Sequence, residues 1–146
     1  NRPDSAKVWA QKAIAAGTAP EQIGNALLAS VQPAFAKAQQ TKARADWREA
    51  LVLSQAAHAV AKTPNSHFFT GVAAFQVGLD ALQGLQKSKS CAEVTLVEEM
   101  FSLTQTELPP GGKVDPNTAG QIMGVLGQVM PQLPQYKKAL CTKGGR

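Results

Sequence analysis

The sequence predicts an all-α protein, and three observations lead to that prediction. Alanine, the residue with the highest helix propensity, occupies 24 of the 146 positions. Aromatic residues make up 5% of the chain, and the alternating β-branched pattern of strands is nearly absent. Apolar residues recur instead at the spacing of helix faces. A chain of this length forms one domain, residues 1–146, in which we expect about five to six antiparallel helices.

Cap residues, a glycine and a proline define the first elements. A short helix is predicted up to Gly17, because glycine favours helix termination. Thr18 and Glu21 have the spacing of a capping box, which predicts a second helix over about residues 20–31. Pro33 lacks an N–H and clashes with the carbonyl four residues before it. It therefore marks either a kink or the start of a new helix.

Two helices with opposing apolar stripes follow and form the clearest unit of the chain. Asp46 and Glu49 repeat the capping-box spacing and predict a helix over about residues 47–62. After a proline-containing turn, a second helix is predicted over about residues 67–86, with a break near Gly78 as an alternative. The two stripes consist of Trp47, Ala50, Leu51, Ser54, Ala57 and Ala61, and of Phe68, Val72, Phe75, Leu79 and Leu82.

The last third of the chain is divided by its prolines and glycines. Ser90 and Glu93 form a further capping-box pattern, which opens another helix. The Leu-Pro-Pro-Gly-Gly run at residues 108–112 predicts a long loop. Asp115, followed by proline, is typical of an N-cap and predicts the last long helix. The tail, residues 137–146, is basic, and we expect its last few residues to fray.

The net charge of +5 is unevenly distributed along the chain. Residues 65–112 carry two Lys or Arg against five Asp or Glu, whereas both flanking segments are basic. The cations are scattered, and no interleaving of arginine with aromatic residues occurs, so we predict no nucleic-acid partner. No run of 18 apolar residues is present, so we predict no membrane span.

Two cysteines, Cys91 and Cys141, bear on the cellular compartment. They lie 50 positions apart, in no metal-binding or redox spacing. In an exported protein such a pair forms one disulfide; the alternative is two unrelated thiols in a cytosolic protein. The chain begins at Asn1 without a methionine, which fits a removed signal peptide or a trimmed chain. We expect the disulfide and a periplasmic or secreted location.

Residues 46–75 resemble part of a tetratricopeptide repeat, a helical hairpin that stacks into a superhelix. Ala50 and Ala57 have the seven-residue spacing of the small residues in the second helix of that repeat. Phe68 and Phe75 match aromatic positions in the first helix of the next unit. The resemblance implies a helical array with a protein-binding groove. A plain helical bundle is the alternative.

The sequence offers little that could carry chemistry. His58 and His67 are the only histidines, at the two sides of the predicted turn, and zinc normally takes at least three protein ligands. No carboxylate or thiol is obviously placed with them, so we interpret them as ordinary surface or turn residues. Glu98 and Glu99 are adjacent and point about 100° apart on a helix, so they cannot form an acid–base pair. We expect no enzyme activity, no metal and no cofactor.

Two functions fit these predictions. The first is a non-catalytic helical module for protein–protein interaction, a scaffold or accessory subunit of an exported assembly, with a protein partner and an oligomeric state that the sequence does not indicate. The alternative is a small-molecule or lipid carrier with an aromatic-lined cavity between helices. The candidate core or cavity residues are Trp47, Phe68, Phe69, Phe75 and Phe101.

Overall fold

The computed structural model describes residues 3–142, without the side chains of residues 3, 4, 6 and 7. Within this range the chain is helical and contains no strand, which confirms the all-α prediction. The elements are α1 (Pro3–Ala15), α2 (Pro20–Thr41), α3 (Arg44–Val60), α4 (Pro64–Ser88), α5 (Cys91–Gly111), α6 (Pro116–Val129), a short 3-10 helix (Met130–Gln132) and α7 (Leu133–Cys141). None of these helices is both long and apolar enough to cross a membrane.

The helices pack mainly on their neighbours along the chain. The most extensive contact joins α4 to α5, followed by α2 to α3 and α3 to α4. These pairs are antiparallel because only two or three residues connect one helix to the next. In contrast, α6 touches α4 and α5 sparingly, and α7 packs on α5. The sparse packing of α6 leaves space beside α4.

The interior consists of two apolar clusters. The larger one extends from α2 to α7, and the smaller one lies between α1, α2 and α3. At Gly78 in α4, an added Cβ atom would approach the Phe101 ring of α5 to 2.7 Å. Helix α4 continues through Gly78, so the alternative of a break near this residue does not occur. The glycine instead lets α4 and α5 approach each other closely, because it has no side chain.

Helix starts differ from the predicted capping boxes. Ala19 and Ala43 precede α2 and α3, and neither has a capping side chain. Ser90 does precede α5, but its side chain makes no capping hydrogen bond. Asp46 instead accepts a hydrogen bond from Thr41 and pairs with a lysine of α2, so its carboxylate does not cap the start of α3. In two of the three predicted boxes an acidic residue has another partner, since Asp46 pairs with Lys37 of α2 and Glu93 is bound by Arg44 of α3.

One capping box was not predicted, and it opens α4. The backbone N–H of Ser66 donates to Thr63 Oγ1 at 3.1 Å, and the backbone N–H of Thr63 donates to Ser66 Oγ at 2.9 Å. The helix therefore starts at Pro64, three residues before the predicted start. At α6, by contrast, the Asp115 cap is confirmed, since its carboxylate accepts from the N–H of Thr118.

Prolines interrupt the helices less than predicted. Helix α2 runs through Pro33 without a break, because Val31 and Phe35 on either side are buried in the two clusters and hold the helix in place. Helix α5 likewise continues through the prolines to Gly111, which packs against the backbone of Phe68. The predicted long loop is thereby reduced to residues 112–115.

Part of the predicted C-terminal tail is helical. Helix α7 continues to Cys141, so the first five residues of the predicted tail are helical, and its residues 143–146 lie outside the described residues. Cys91 and Cys141 form a disulfide, with Cα atoms 4.9 Å apart. In addition, Lys137 Nζ donates to Glu98 Oε2 at 2.8 Å. Both contacts attach α7 to α5.

Arg44 links three helices at one end of the array. Its two Nη atoms lie 2.7 Å from the two oxygens of Glu93, and its Nε donates to Asp80. The bidentate bond from Arg44 lowers the pKa of Glu93 below its usual range. A carboxylate of this kind stabilises the folded chain above its unfolded pKa, and the contribution is lost as the pH falls through its folded pKa.

We expect Arg44→Gln to lower the free energy of unfolding by about 1–2 kcal/mol at pH 7, because a part-buried bidentate pair is lost. The difference between wild type and variant should begin to shrink as the pH falls below the ordinary glutamate pKa of about 4.3, and it should vanish only once the pH has passed through the lowered pKa of Glu93 in the folded wild type. Urea unfolding across this pH range measures the effect. Arg48→Gln, at an exposed position of the same helix, is the matched control, and an equal loss there would contradict the role of Arg44.

Candidate functional site

A partly open groove of about 700 Å³ lies beside α4, in the space left by the sparse packing of α6. Four helices contribute to it. The lining residues are Gln39 and Lys42 at the end of α2, Trp47 of α3, Val72, Phe75, Gln76, Leu79, Asp80 and Gln83 of α4, and Thr118, Gln121, Ile122 and Val125 of α6. The α4 side extends over residues 72–83, or about 16 Å at the helical rise.

The groove has an apolar floor and an amide-bearing rim. The side chains at the floor are buried or half-buried, and they are Trp47, Val72, Phe75, Leu79 and Ile122. Three rim glutamines, Gln39, Gln83 and Gln121, are exposed, and Gln76 is half-buried. Each amide offers two N–H donors and one carbonyl acceptor. Together these groups can hold a ligand that has both apolar side chains and a polar backbone.

Charge in the groove is low. Among the described residues that line it, Lys42 and Asp80 are the only ionisable ones, and their charges are opposite. Asp80 also accepts a hydrogen bond from Arg44 Nε, so its negative charge already has a partner. The groove is thus suited to an uncharged segment rather than to a strongly acidic or basic one.

The five aromatic residues selected from the sequence are separated by the fold. Trp47, Phe68, Phe75 and Phe101 are buried, and Phe69 is half-buried. Phe75 stacks on Phe101 with ring centroids 5.8 Å apart. Of the five, only Trp47 and Phe75 line the groove. A cavity lined by all five rings is therefore not formed; the other three pack within the apolar core or against it.

The glutamines of the groove were missed in the sequence, although a periodic signal for them exists. Gln76, Asp80 and Gln83 recur at four- and three-residue spacing, so they form a polar stripe on one face of α4. That stripe runs beside the apolar residues Val72 and Leu79. A polar stripe on a helix that is otherwise buried indicates a groove or an opening to solvent.

The two histidines are brought together with a carboxylate that the sequence did not indicate. His67 Nδ1 lies 2.6 Å from Glu107 Oε2, and His58 Nε2 lies 3.1 Å from the same oxygen. Burial lowers the pKa of His58, although the charge of Glu107 opposes that shift. The expectation that no carboxylate is placed with the two histidines is wrong, since Glu107 lies against both. The sequence gives no signal for Glu107, because it lies just before the proline and glycine run that predicts a loop.

Comparison with protein-family models, with curated protein sequences and with solved structures found no match to this chain.

Proposed function

We propose that this protein is a non-catalytic helical interaction module that binds an uncharged, extended segment of a partner protein in the groove beside α4. The observation that supports the proposal best is the combination of apolar floor and four glutamines around an open groove. Such amides can pair with the N–H and C=O groups of a bound backbone, while the floor accepts its side chains. The module acts as a scaffold or accessory subunit.

The dimensions of the groove agree with a short peptide. Its α4 side is about 16 Å long, which corresponds to about five residues of extended chain. The helical-array proposal, similar to tetratricopeptide repeats, is supported by the packing of α2 to α5 on their sequence neighbours. Plain bundles can pack in this way too, so the peptide proposal depends on the groove and not on that resemblance.

The compartment proposed is the periplasm or the exterior of the cell. The support is the disulfide between Cys91 and Cys141, since such bonds persist in oxidising environments. The proposed partner is therefore a component of an exported assembly.

The groove can be tested with a library of displayed peptides. We expect selected peptides to bind and to lose about tenfold in affinity in a Gln76→Ala/Gln121→Ala variant, because two backbone hydrogen bonds are removed. Gln86→Ala, an exposed glutamine of α4 outside the groove, is the matched control and should bind normally. In a Trp9→Phe background, Trp47 is the sole tryptophan and its fluorescence reports occupancy of the groove.

Two results would contradict the proposal. If the selected peptides bind the groove variant as tightly as they bind Gln86→Ala, they bind elsewhere on the chain. A small molecule or lipid that co-purifies in native mass spectrometry, and that a Leu79→Glu substitution removes, would assign the groove to a carrier function instead.

A further inference from the structure

The ends of three helices meet at the cluster of His58, His67 and Glu107. None of these three residues lines the groove. His58 lies in the last turn of α3, His67 in the first turn of α4, and Glu107 near the end of α5. One ligand atom from each residue lies within 4.8 Å of the other two. The imidazole rings are edge to face, with centroids 4.4 Å apart. Residues distant in sequence thus present three donors to one small volume.

The donor set has the chemistry of a zinc site. Two imidazole nitrogens and one carboxylate oxygen are a known set of three protein ligands for Zn²⁺. Bonds of about 2.0 Å at tetrahedral angles place donor atoms about 3.3 Å apart. The two histidine nitrogens are 3.1 and 2.6 Å from Glu107 Oε2. The His58–Glu107 pair is within about 0.2 Å of that separation, whereas the His67–Glu107 pair has to widen by about 0.7 Å to admit an ion.

His58 is held in the orientation that a ligand requires. Its Nδ1 lies 2.8 Å from Ser66 Oγ, which in turn accepts the backbone N–H of Thr63 within the capping box. Ser66 is completely buried, so its hydroxyl is fixed. With Nδ1 engaged in this way, Nε2 faces Glu107 and His67. Metal-binding histidines commonly have such a partner on the second nitrogen, because it fixes the ring.

The cluster is sheltered but reachable from solvent. The side chains of His58, His67 and Glu107 are 12%, 20% and 14% exposed. An ion can therefore enter, and a water molecule can take the fourth position of a tetrahedral site.

We propose that His58 Nε2, His67 Nδ1 and Glu107 Oε2 bind one Zn²⁺ ion, with water as the fourth ligand. The ion would connect the ends of α3, α4 and α5. This connection lies at the C-terminal end of α5, whereas the Cys91 disulfide holds the N-terminal end of the same helix. The site is independent of the groove and of any peptide bound there.

Titration of the unmodified protein tests the site directly. Because the chain has only two histidines, the protein should be purified without a histidine tag and stripped with a chelator. We expect one equivalent of Zn²⁺ to bind, and the melting temperature of the stripped protein to rise when zinc is restored. Co²⁺ should give the intense visible absorption of tetrahedral coordination. If the stripped protein shows no saturable zinc binding and no such absorption with Co²⁺, the three residues form only a hydrogen-bonded cluster and the proposal is overturned.

Variants locate the ion within the chain. Glu107→Gln, which is nearly isosteric, and His67→Gln should each weaken zinc binding by more than about tenfold, since losing even an outer partner of a metal ligand costs that much. Glu99→Gln, at an exposed position of α5, is the matched control and should bind zinc normally. Equal affinity in Glu107→Gln and Glu99→Gln would show that zinc binds elsewhere. If a variant does not fold, the Co²⁺ spectrum of the unmodified chain still decides.

Discussion

Replacing Phe101 with alanine is expected to lower the free energy of unfolding by about 3–5 kcal/mol. The Phe101 side chain has no exposed surface and lies between the ring of Phe75 and the backbone at Gly78. The helices that enclose it make the most extensive contact of the fold, so they cannot close over the resulting void. Denaturant unfolding measures the loss.

Two further variants sharpen this prediction. Phe75→Ala should fall at the lower end of the same range, because Phe75 lines the groove and water can enter the space that its ring leaves. Val52→Ala, at a side chain that is 43% exposed, should change stability by less than about 0.5 kcal/mol. A loss below about 1 kcal/mol in Phe101→Ala would contradict the packing of α4 on α5.

Removing the disulfide by a double Cys91→Ala/Cys141→Ala substitution is expected to cost roughly 4 kcal/mol. The bond closes a loop across 50 positions, and the chain-entropy estimate for such a loop gives a value of this size. The effect should be largest in α7, where Leu133 is the only fully buried residue in the described helix. Hydrogen exchange in α7 should therefore accelerate more than in α4.

Mass measurement after alkylation checks the bond itself. The unfolded chain should take up no alkyl group before reduction and two after it. Adding reductant to the double variant is the control, because it should leave stability unchanged. Uptake of two groups without reductant would show free thiols, and it would remove the main support for an oxidising compartment.

Periodicity in the sequence was sufficient for the fold class and for the central hairpin. Trp47, Phe68, Val72 and Phe75 are buried as the stripe pattern predicts, because a helix that packs on one side has to place its apolar residues there. Helix ends were harder to predict. Ser90 and Glu93 have the spacing of a capping box, but the Glu93 carboxylate accepts hydrogen bonds from Arg44, which is 49 positions away in the chain. Local spacing contains no information on such a competitor.

Tertiary contacts also explain why the prolines do not end the helices that contain them. Pro33 should end a helix on local grounds, at a cost of about 3 kcal/mol. Burial of Val31 and Phe35 on both sides offsets that cost, and this burial depends on partners in other helices.

The candidate metal site likewise depends on contacts between helices that local sequence patterns do not contain. Glu107 lies 40 positions from His67, and only the packing of α4 on α5 brings the two together.

The order of helices in space has a consequence for how the molecule forms. Since α2 to α5 pack chiefly on the next helix along the chain, most of their contacts join residues close in sequence. Helical proteins of this low contact order fold within about microseconds to milliseconds. Disulfides form over about seconds to hours, and Cys141 approaches Cys91 only when α7 lies against α5. Oxidation therefore stabilises a fold that is already complete and does not direct its assembly.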